Sequence, residues 1–151
     1  NTLLLFRFVE KHGKLLYDMI KEQNDNDNRK IFFVFGGTDT DTRERIRAIV
    51  EREENSIIVA SYGVFSVGVN IRNLHNIIFA SPSKSRIRNL QSIGRALRKS
   101  KQKEKATLYD IADNLSYKNK KNYTLEHFEE RMKIYKEENF PVSTYIVQLK
   151  Q

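Results

Sequence analysis

The chain has 151 residues, enough for one domain with a real hydrophobic core and too few for two. It has no cysteine, so a disulfide framework and thiolate-bound zinc or iron–sulfur sites are excluded, and no apolar run approaches the ~20 residues that span a bilayer. Lys and Arg number 27 against 19 Asp and Glu, a net charge of +8 that favours a polyanionic partner such as nucleic acid.

Along the chain, TLLLFRFV (2–9) is an apolar run of the kind that makes a buried strand. A helix is expected over EKHGKLLYDMIKEQ, with Leu15, Leu16, Met19 and Ile20 at helical spacing, followed by the Asn/Asp loop NDNDNRK. IFFVF (31–35) is a second strand, closed by Gly36 and Gly37. In TDTDTRERIRAIVEREE, Asp41 stands three residues before Glu44 as in a capping box, and Ile46, Ile49 and Val50 share a face. SIIVA (56–60), NIIFA (76–80) and ATLYDIA (106–112) complete five strands, and a helix over QSIGRALR lies between the last two. SYKNKKN reads as a polar linker, TLEHFEERMKIYKEEN as a helix and FPVSTYIVQLKQ as a possible final strand.

Short buried strands alternating with amphipathic helices predict an α/β fold, a doubly wound parallel sheet with helices on both faces. We assign residues 1–115 to that core and 116–151 to a C-terminal extension of helix and strand packed on the same sheet. Ligands of such sheets bind at the carboxyl ends of the strands. The chain opens on Asn1, and its only methionines are Met19 and Met132, which is expected of a processed product or a piece of something longer. With no signal peptide at its start, a soluble cytoplasmic protein is expected.

The basic excess is concentrated from Lys84 to Lys121. On a helical wheel Leu90, Ile93 and Leu97 form one stripe, and Gln91, Arg95 and Arg98 gather about a third of a turn away. Arginine suits bidentate grip on phosphate oxygens, and Gly94 allows close approach of a backbone or ligand. A surface helix with solvated arginines fits the same residues. Upstream, SIIVASYGVFSVGVNI sets Gly63 and Gly68 among the hydroxyls of Ser61 and Ser66 at a strand's carboxyl end, a composition that serves an anion or merely a tight turn.

In order, spacing and strand context, Ser61, Gly68, Asn70 and Ile71, then NIIFA, then Ser85 and QSIGRALR, resemble motifs V and VI of the superfamily 2 helicases. LLLFRFVEKHGKLL resembles motif IV, FFVFGGTDTDTRERI the strand, loop and helix after it, and YTLEHFEERMKIY the helix that closes this domain in DNA-repair helicases. The resemblance implies a RecA-like second motor domain of an ATP-dependent helicase, acting in recombination, repair or branched-DNA processing. It implies Arg98 as the arginine finger on the γ-phosphate, Arg95 as a second phosphate-facing arginine, and Gln91 as a coupling residue. Gly68, Asn70 and Gly94 would lie near the nucleotide, and Arg7, Gly37, Thr38, Ser61, Tyr62, Lys84 and Ser85 near the nucleic-acid backbone. Many family members carry aspartate at the position of Asn70, whose amide oxygen can still accept a hydrogen bond.

The 151 residues contain neither a G-x-x-x-x-G-K-[ST] phosphate loop nor a D-E-x-[DH] magnesium box. By the resemblance, ATP and Mg2+ are held mainly by an N-terminal RecA-like domain of the same protein. The expected partners are that domain and DNA or RNA bound without sequence preference, in a monomer. The alternatives are a non-enzymatic basic module of RecA-like shape, which would bind nucleic acid or protein, and a free-standing flavodoxin-type enzyme, for which no catalytic constellation is present. His12, His75 and His127 lack ligand spacing, so no metal site is expected. His127, Arg131 and Tyr135 share a helical stripe suited to packing and hydrogen bonding on the sheet. Asp110 is expected to cap or to pair with a motif arginine, and Lys118, Lys120 and Lys121 either solvate a linker or touch nucleic acid.

Overall fold

The computed structural model of the chain describes residues 1–24, 28–66, 71–81 and 105–148. The elements are β1 (Thr2–Phe6), a π-helical turn (Val9–Gly13), α1 (Lys14–Gln23), β2 (Ile31–Val34), α2 (Thr40–Arg52) and β3 (Ile57–Ser61). They continue with α3 (Tyr62–Ser66), β4 (Asn76–Phe79), β5 (Thr107–Asp110) and α4 (Tyr123–Glu137). The five strands form one sheet in the order β2-β3-β1-β4-β5, parallel throughout. The expected helix over QSIGRALR lies outside the described residues.

Both faces of the sheet are covered, which explains why the strands read as unbroken apolar runs. Leu3 and Leu5 point into one cluster with Val50 of α2, Tyr62 and Val64 of α3, and Ile134 and Tyr135 of α4. Leu4 and Phe6 point the other way, onto a cluster containing Leu16, Tyr17 and Ile20 of α1 and Phe33 of β2. There the rings of Phe6 and Phe33 stack at 5.5 Å. Each such side chain, fully buried, contributes about 1.5–3 kcal/mol of transfer free energy.

Four local expectations change. The first strand stops at Phe6; Arg7 and Phe8 are exposed, and the amides of His12 and Gly13 both donate to the Phe8 carbonyl, at 3.1 and 2.9 Å. The extra residue of the π turn and the missing side chain of Gly13 let α1 settle on Phe6, because a Cβ at Gly13 would lie 2.4 Å from the Phe6 ring. Hence α1 packs through Leu16, Tyr17 and Ile20, while Leu15 and Met19, about 100° round the helix, face solvent. The cap of α2 is Asp39, not Asp41. Asp39 has the extended backbone of an N-cap and accepts from the Thr42 amide at 2.8 Å and the Thr42 hydroxyl at 2.7 Å. Those two bonds, the hydroxyl's first, hold its carboxyl below the usual range. Glu44, the other half of the expected box, takes Arg47 Nε at 2.8 Å instead. Finally, residues 140–148 form no strand. Phe140 packs beside Tyr135 with ring centroids 6.4 Å apart, but residues 141–148 are exposed and pair with no sheet edge.

Candidate nucleic-acid and nucleotide edge

Parallel pairing in register brings the carboxyl ends of all five strands to one edge. Val34 lies opposite Ala60, Phe6 opposite Ser61, Leu5 opposite Phe79, and Phe79 opposite Asp110. Arg7, Gly37, Thr38, Ser61 and Tyr62, scattered through the sequence, therefore gather along this edge. Gly68, Asn70, Lys84, Ser85, Gln91, Gly94, Arg95 and Arg98 lie outside the described residues.

The gathered residues differ in what they offer. Arg7 is exposed, its guanidinium 5.0 Å from the ring centroid of Phe8. This cation–π contact restrains the side chain without neutralising it, so the charge remains available to a phosphate. After β2 the chain closes a tight turn: the Thr38 amide donates to the Phe35 carbonyl at 2.9 Å, and the Phe35 amide donates to Thr38 Oγ1 at 3.1 Å. Arg43 Nε then holds the Thr38 carbonyl at 2.7 Å. A Cβ at Gly37 would come within 2.7 Å of the Phe35 ring, so this glycine is needed for the turn itself. Ser61 is largely buried. Tyr62 is only 2% exposed, with its ring 5.7 Å from that of Phe79, and is a core residue; a nucleic acid could meet only its backbone.

Two side chains at this edge have partners that the sequence did not indicate. His12 Nδ1 lies 2.5 Å from Ser81 Oγ, which ties the turn after β1 to the end of β4. Asp110, at the end of β5 and expected to cap or to pair with a motif arginine, pairs with Arg131 of α4; the motif arginines lie outside the described residues. Arg131 Nε and Nη2 donate to the two carboxylate oxygens of Asp110 at 2.7 and 2.8 Å, and the Tyr135 hydroxyl donates to Oδ2 at 2.5 Å. Both partners of the ion pair are buried, the Arg131 side chain 2% and that of Asp110 8% exposed. Arg131 Nη1 is buried and has no hydrogen-bond partner among the described residues. His127, one turn before Arg131 on the same stripe, lies beside Tyr123 with ring centroids 6.4 Å apart. The spacing of Arg131 and Tyr135 was visible in the sequence, but nothing in it pointed to Asp110 as their shared acceptor.

Burial, then the adjacent Asp110 charge and hydrogen bond, push the Tyr135 phenol far above its ordinary value of 10.0. A raised folded-state value stabilises the fold fully below the unfolded value, and that contribution drains away as pH rises past it. Stability should therefore fall above about pH 10 as the unfolded chain sheds the Tyr135 proton. Urea titrations at pH 8 and 11 check this: Tyr135→Phe should show a smaller alkaline loss than the parent, and equal losses would refute the assignment.

Among the described residues no three His, Cys, Asp or Glu are grouped to hold a metal ion, and no helix is long and apolar enough to cross a membrane.

Residues 1–100 match the family model described as the helicase conserved C-terminal domain. Over 150 residues the chain is 39% identical to the ATP-dependent DNA helicase uvsW of Enterobacteria phage T4, covering 93% of this chain and 29% of that protein. The crystal structure of T4 UvsW superimposes with a TM-score of 0.69 at 38% identity, over the same shares of the two chains. Domain 2 of the DEAD-box helicase Mss116p, solved with an RNA duplex, superimposes at 0.59 with 20% identity, covering 74% of this chain and 41% of that one. The C-terminal part of the Fun30 ATPase domain does so at 0.57 with 15% identity, covering 91% and 48%. These last two are likenesses of fold, that of RecA-like helicase domains.

Proposed function

We propose, since this chain belongs to the helicase conserved C-terminal domain family, that it is the second motor domain of an ATP-dependent DNA helicase or translocase. The observation that carries the reading is the 39% identity to the T4 helicase across 93% of the chain. The convergence of Arg7, Gly37, Thr38 and Ser61 on one edge of the sheet supports it.

In this reading ATP lies in the cleft between this edge and a partner RecA-like domain that supplies the phosphate loop. Arg98 neutralises charge on the transferring phosphoryl group, Arg95 holds a second phosphate, and Gln91 links the nucleotide to the moving interface. Gly68, Asn70 and Gly94 line the nucleotide side. Magnesium, which offsets phosphate charge when bound, finds no acidic box in this chain and falls to the partner domain. Arg7, the turn at Gly37 and Thr38, Ser61, the Tyr62 backbone, Lys84 and Ser85 follow the nucleic-acid backbone. Phosphate contacts of this kind position a strand and read no sequence. Closure on ATP and reopening after hydrolysis would move the strand in steps, in recombination, repair or the processing of branched DNA.

The chain alone is expected to hydrolyse no ATP and to bind single-stranded DNA weakly, with log affinity falling steeply against log salt. Replacing Arg7 with alanine should lower affinity several-fold and reduce the slope by about 0.7, the value for one phosphate contact on a single strand. Fluorescence anisotropy over a salt series measures both. Salt-insensitive binding, or an unchanged slope in the Arg7 variant, would count against a phosphate track at this edge.

A further inference from the structure

The segment between β5 and α4 was read as a polar linker, yet it is a built loop. The Asn122 side chain closes its base, donating from Nδ2 to the Asp113 carbonyl at 2.8 Å and accepting the Leu115 amide at Oδ1 at 2.9 Å. Thr124 Oγ1 donates to the same Asp113 carbonyl at 3.0 Å, and Asn114 Oδ1 accepts from the amide and hydroxyl of Ser116. At the tip, Tyr117 and Lys120 exchange backbone hydrogen bonds of 3.0 and 2.9 Å around Lys118 and Asn119, both at positive φ (45° and 63°). That is the two-residue turn of a tight hairpin, and lysine is an unfavourable occupant of its first position.

A loop held this firmly nevertheless buries little of its own apolar surface. Leu115, Tyr117 and Tyr123 are 73%, 71% and 79% exposed. Lysines lie between the rings of Tyr117 and Tyr123: Lys118 Nζ lies 5.2 Å from the Tyr117 ring centroid, and Lys118 and Lys120 are exposed, with no ion-pair partner among the described residues. Lys121 is drawn off to Glu129 at 2.5 Å. The arrangement matches the chemistry of single-stranded nucleic acid, in which bases stack on ring faces and phosphates meet ammonium groups. A protein partner would call for a contiguous apolar patch without free charges at its centre.

The place fits as well. The loop springs from the carboxyl end of β5, the end of the sheet at which Arg7 lies, and β1 and β5 stand two strand spacings apart, about 10 Å. We propose that the hairpin Tyr117–Lys120 is a second nucleic-acid contact of this domain, on which a base of a single strand stacks against Tyr117 while Lys118 and Lys120 meet its flanking phosphates. This rests on the motor reading, and adds to it a contact outside the helicase motifs.

The test uses the 151-residue chain and oligothymidylate carrying one 5-iodouridine. Irradiation should cross-link the base to Tyr117, identified by peptide mass spectrometry. Tyr117→Ala should weaken binding by about 5- to 100-fold, the range for loss of one stacked base, and Tyr117→Phe should retain it. Lys118→Ala with Lys120→Ala should reduce the salt slope by about 1.4, twice the single-strand value per contact. If Tyr117→Ala binds as the parent does while the Arg7 variant is weakened, the hairpin proposal is overturned and the motor reading stands. If the parent chain binds no oligonucleotide, both fall.

Discussion

Under the motor reading, replacing Arg98 with alanine in a protein that joins this chain to a phosphate-loop domain is expected to reduce nucleic-acid-stimulated ATP hydrolysis by about 10³-fold or more. DNA affinity should change little. The expectation comes from QSIGRALR, where Arg98 follows Arg95 by three residues and both are set off from the Leu90, Ile93 and Leu97 stripe. A guanidinium there offers a planar fork of donors to the γ-phosphate oxygens as charge develops, at a point where water would otherwise have to reorganise. Lysine keeps the charge and loses the fork, so Arg98→Lys should recover only a small part of the rate. The measurement is steady-state ATP turnover with saturating single-stranded DNA, beside anisotropy for binding. Parent-like turnover in Arg98→Ala would remove the arginine finger from the account.

The largest stability effect is expected at Arg131. Truncating it to alanine leaves the Asp110 carboxylate buried beside Tyr135 with its bidentate partner gone, a change that typically costs about 3–5 kcal/mol. The same residues test whether loss of attraction or the stranded charge dominates. With Arg131→Met, Asp110→Leu and Tyr135→Phe combined, neither a charge nor the Tyr135 hydroxyl is left without a partner, and most of the stability should return. Arg131 Nη1 has no hydrogen-bond partner among the described residues, so the apolar replacement relieves that cost as well. Urea midpoints at pH 7 decide the matter, provided the slope of the transition is unchanged. A single Arg131→Ala variant as stable as the parent would show that α4 is not fastened through this pair.

Strand positions were legible in the sequence because both faces of the sheet are covered, so LLLF, IFFV and IIVA need no alternation to declare themselves. Details that depend on which way an element faces were not. Of the four residues expected on the α1 stripe, Leu16 and Ile20 pack while Leu15 and Met19 face solvent and Tyr17 joins the buried side, a choice of face that apolar spacing alone does not make. The cap of α2 is Asp39, which has an extended backbone, where the sequence reading named Asp41; residue type alone does not tell which aspartate of TDTDT precedes the first helical turn. FPVSTYIVQLKQ has strand-like composition, but strands need an edge to pair with, and pairing is a property of the whole sheet. At the site, the helicase motifs stood out through spacing, whereas the Asp110 to Arg131 contact joins residues 21 apart by side chains alone. Local patterns do not carry information of that kind.

The strand order has a consequence for how the domain is made. β1 and β2, the first two strands of this domain in chain order, are not neighbours: among the described residues β1 pairs with β3 and β4, and β2 only with β3. No ladder can begin until Ile57–Ser61 has emerged, and that one segment then zips two waiting strands together at once. At about 5–20 residues per second of synthesis, TLLLF spends several seconds as an apolar segment with neither edge paired. β3 is thus the strand on which the first ladders of this domain depend: before it is made the described part of the domain can hold helices but no sheet, and pairing it with β1 and β2 joins segments more than twenty residues apart.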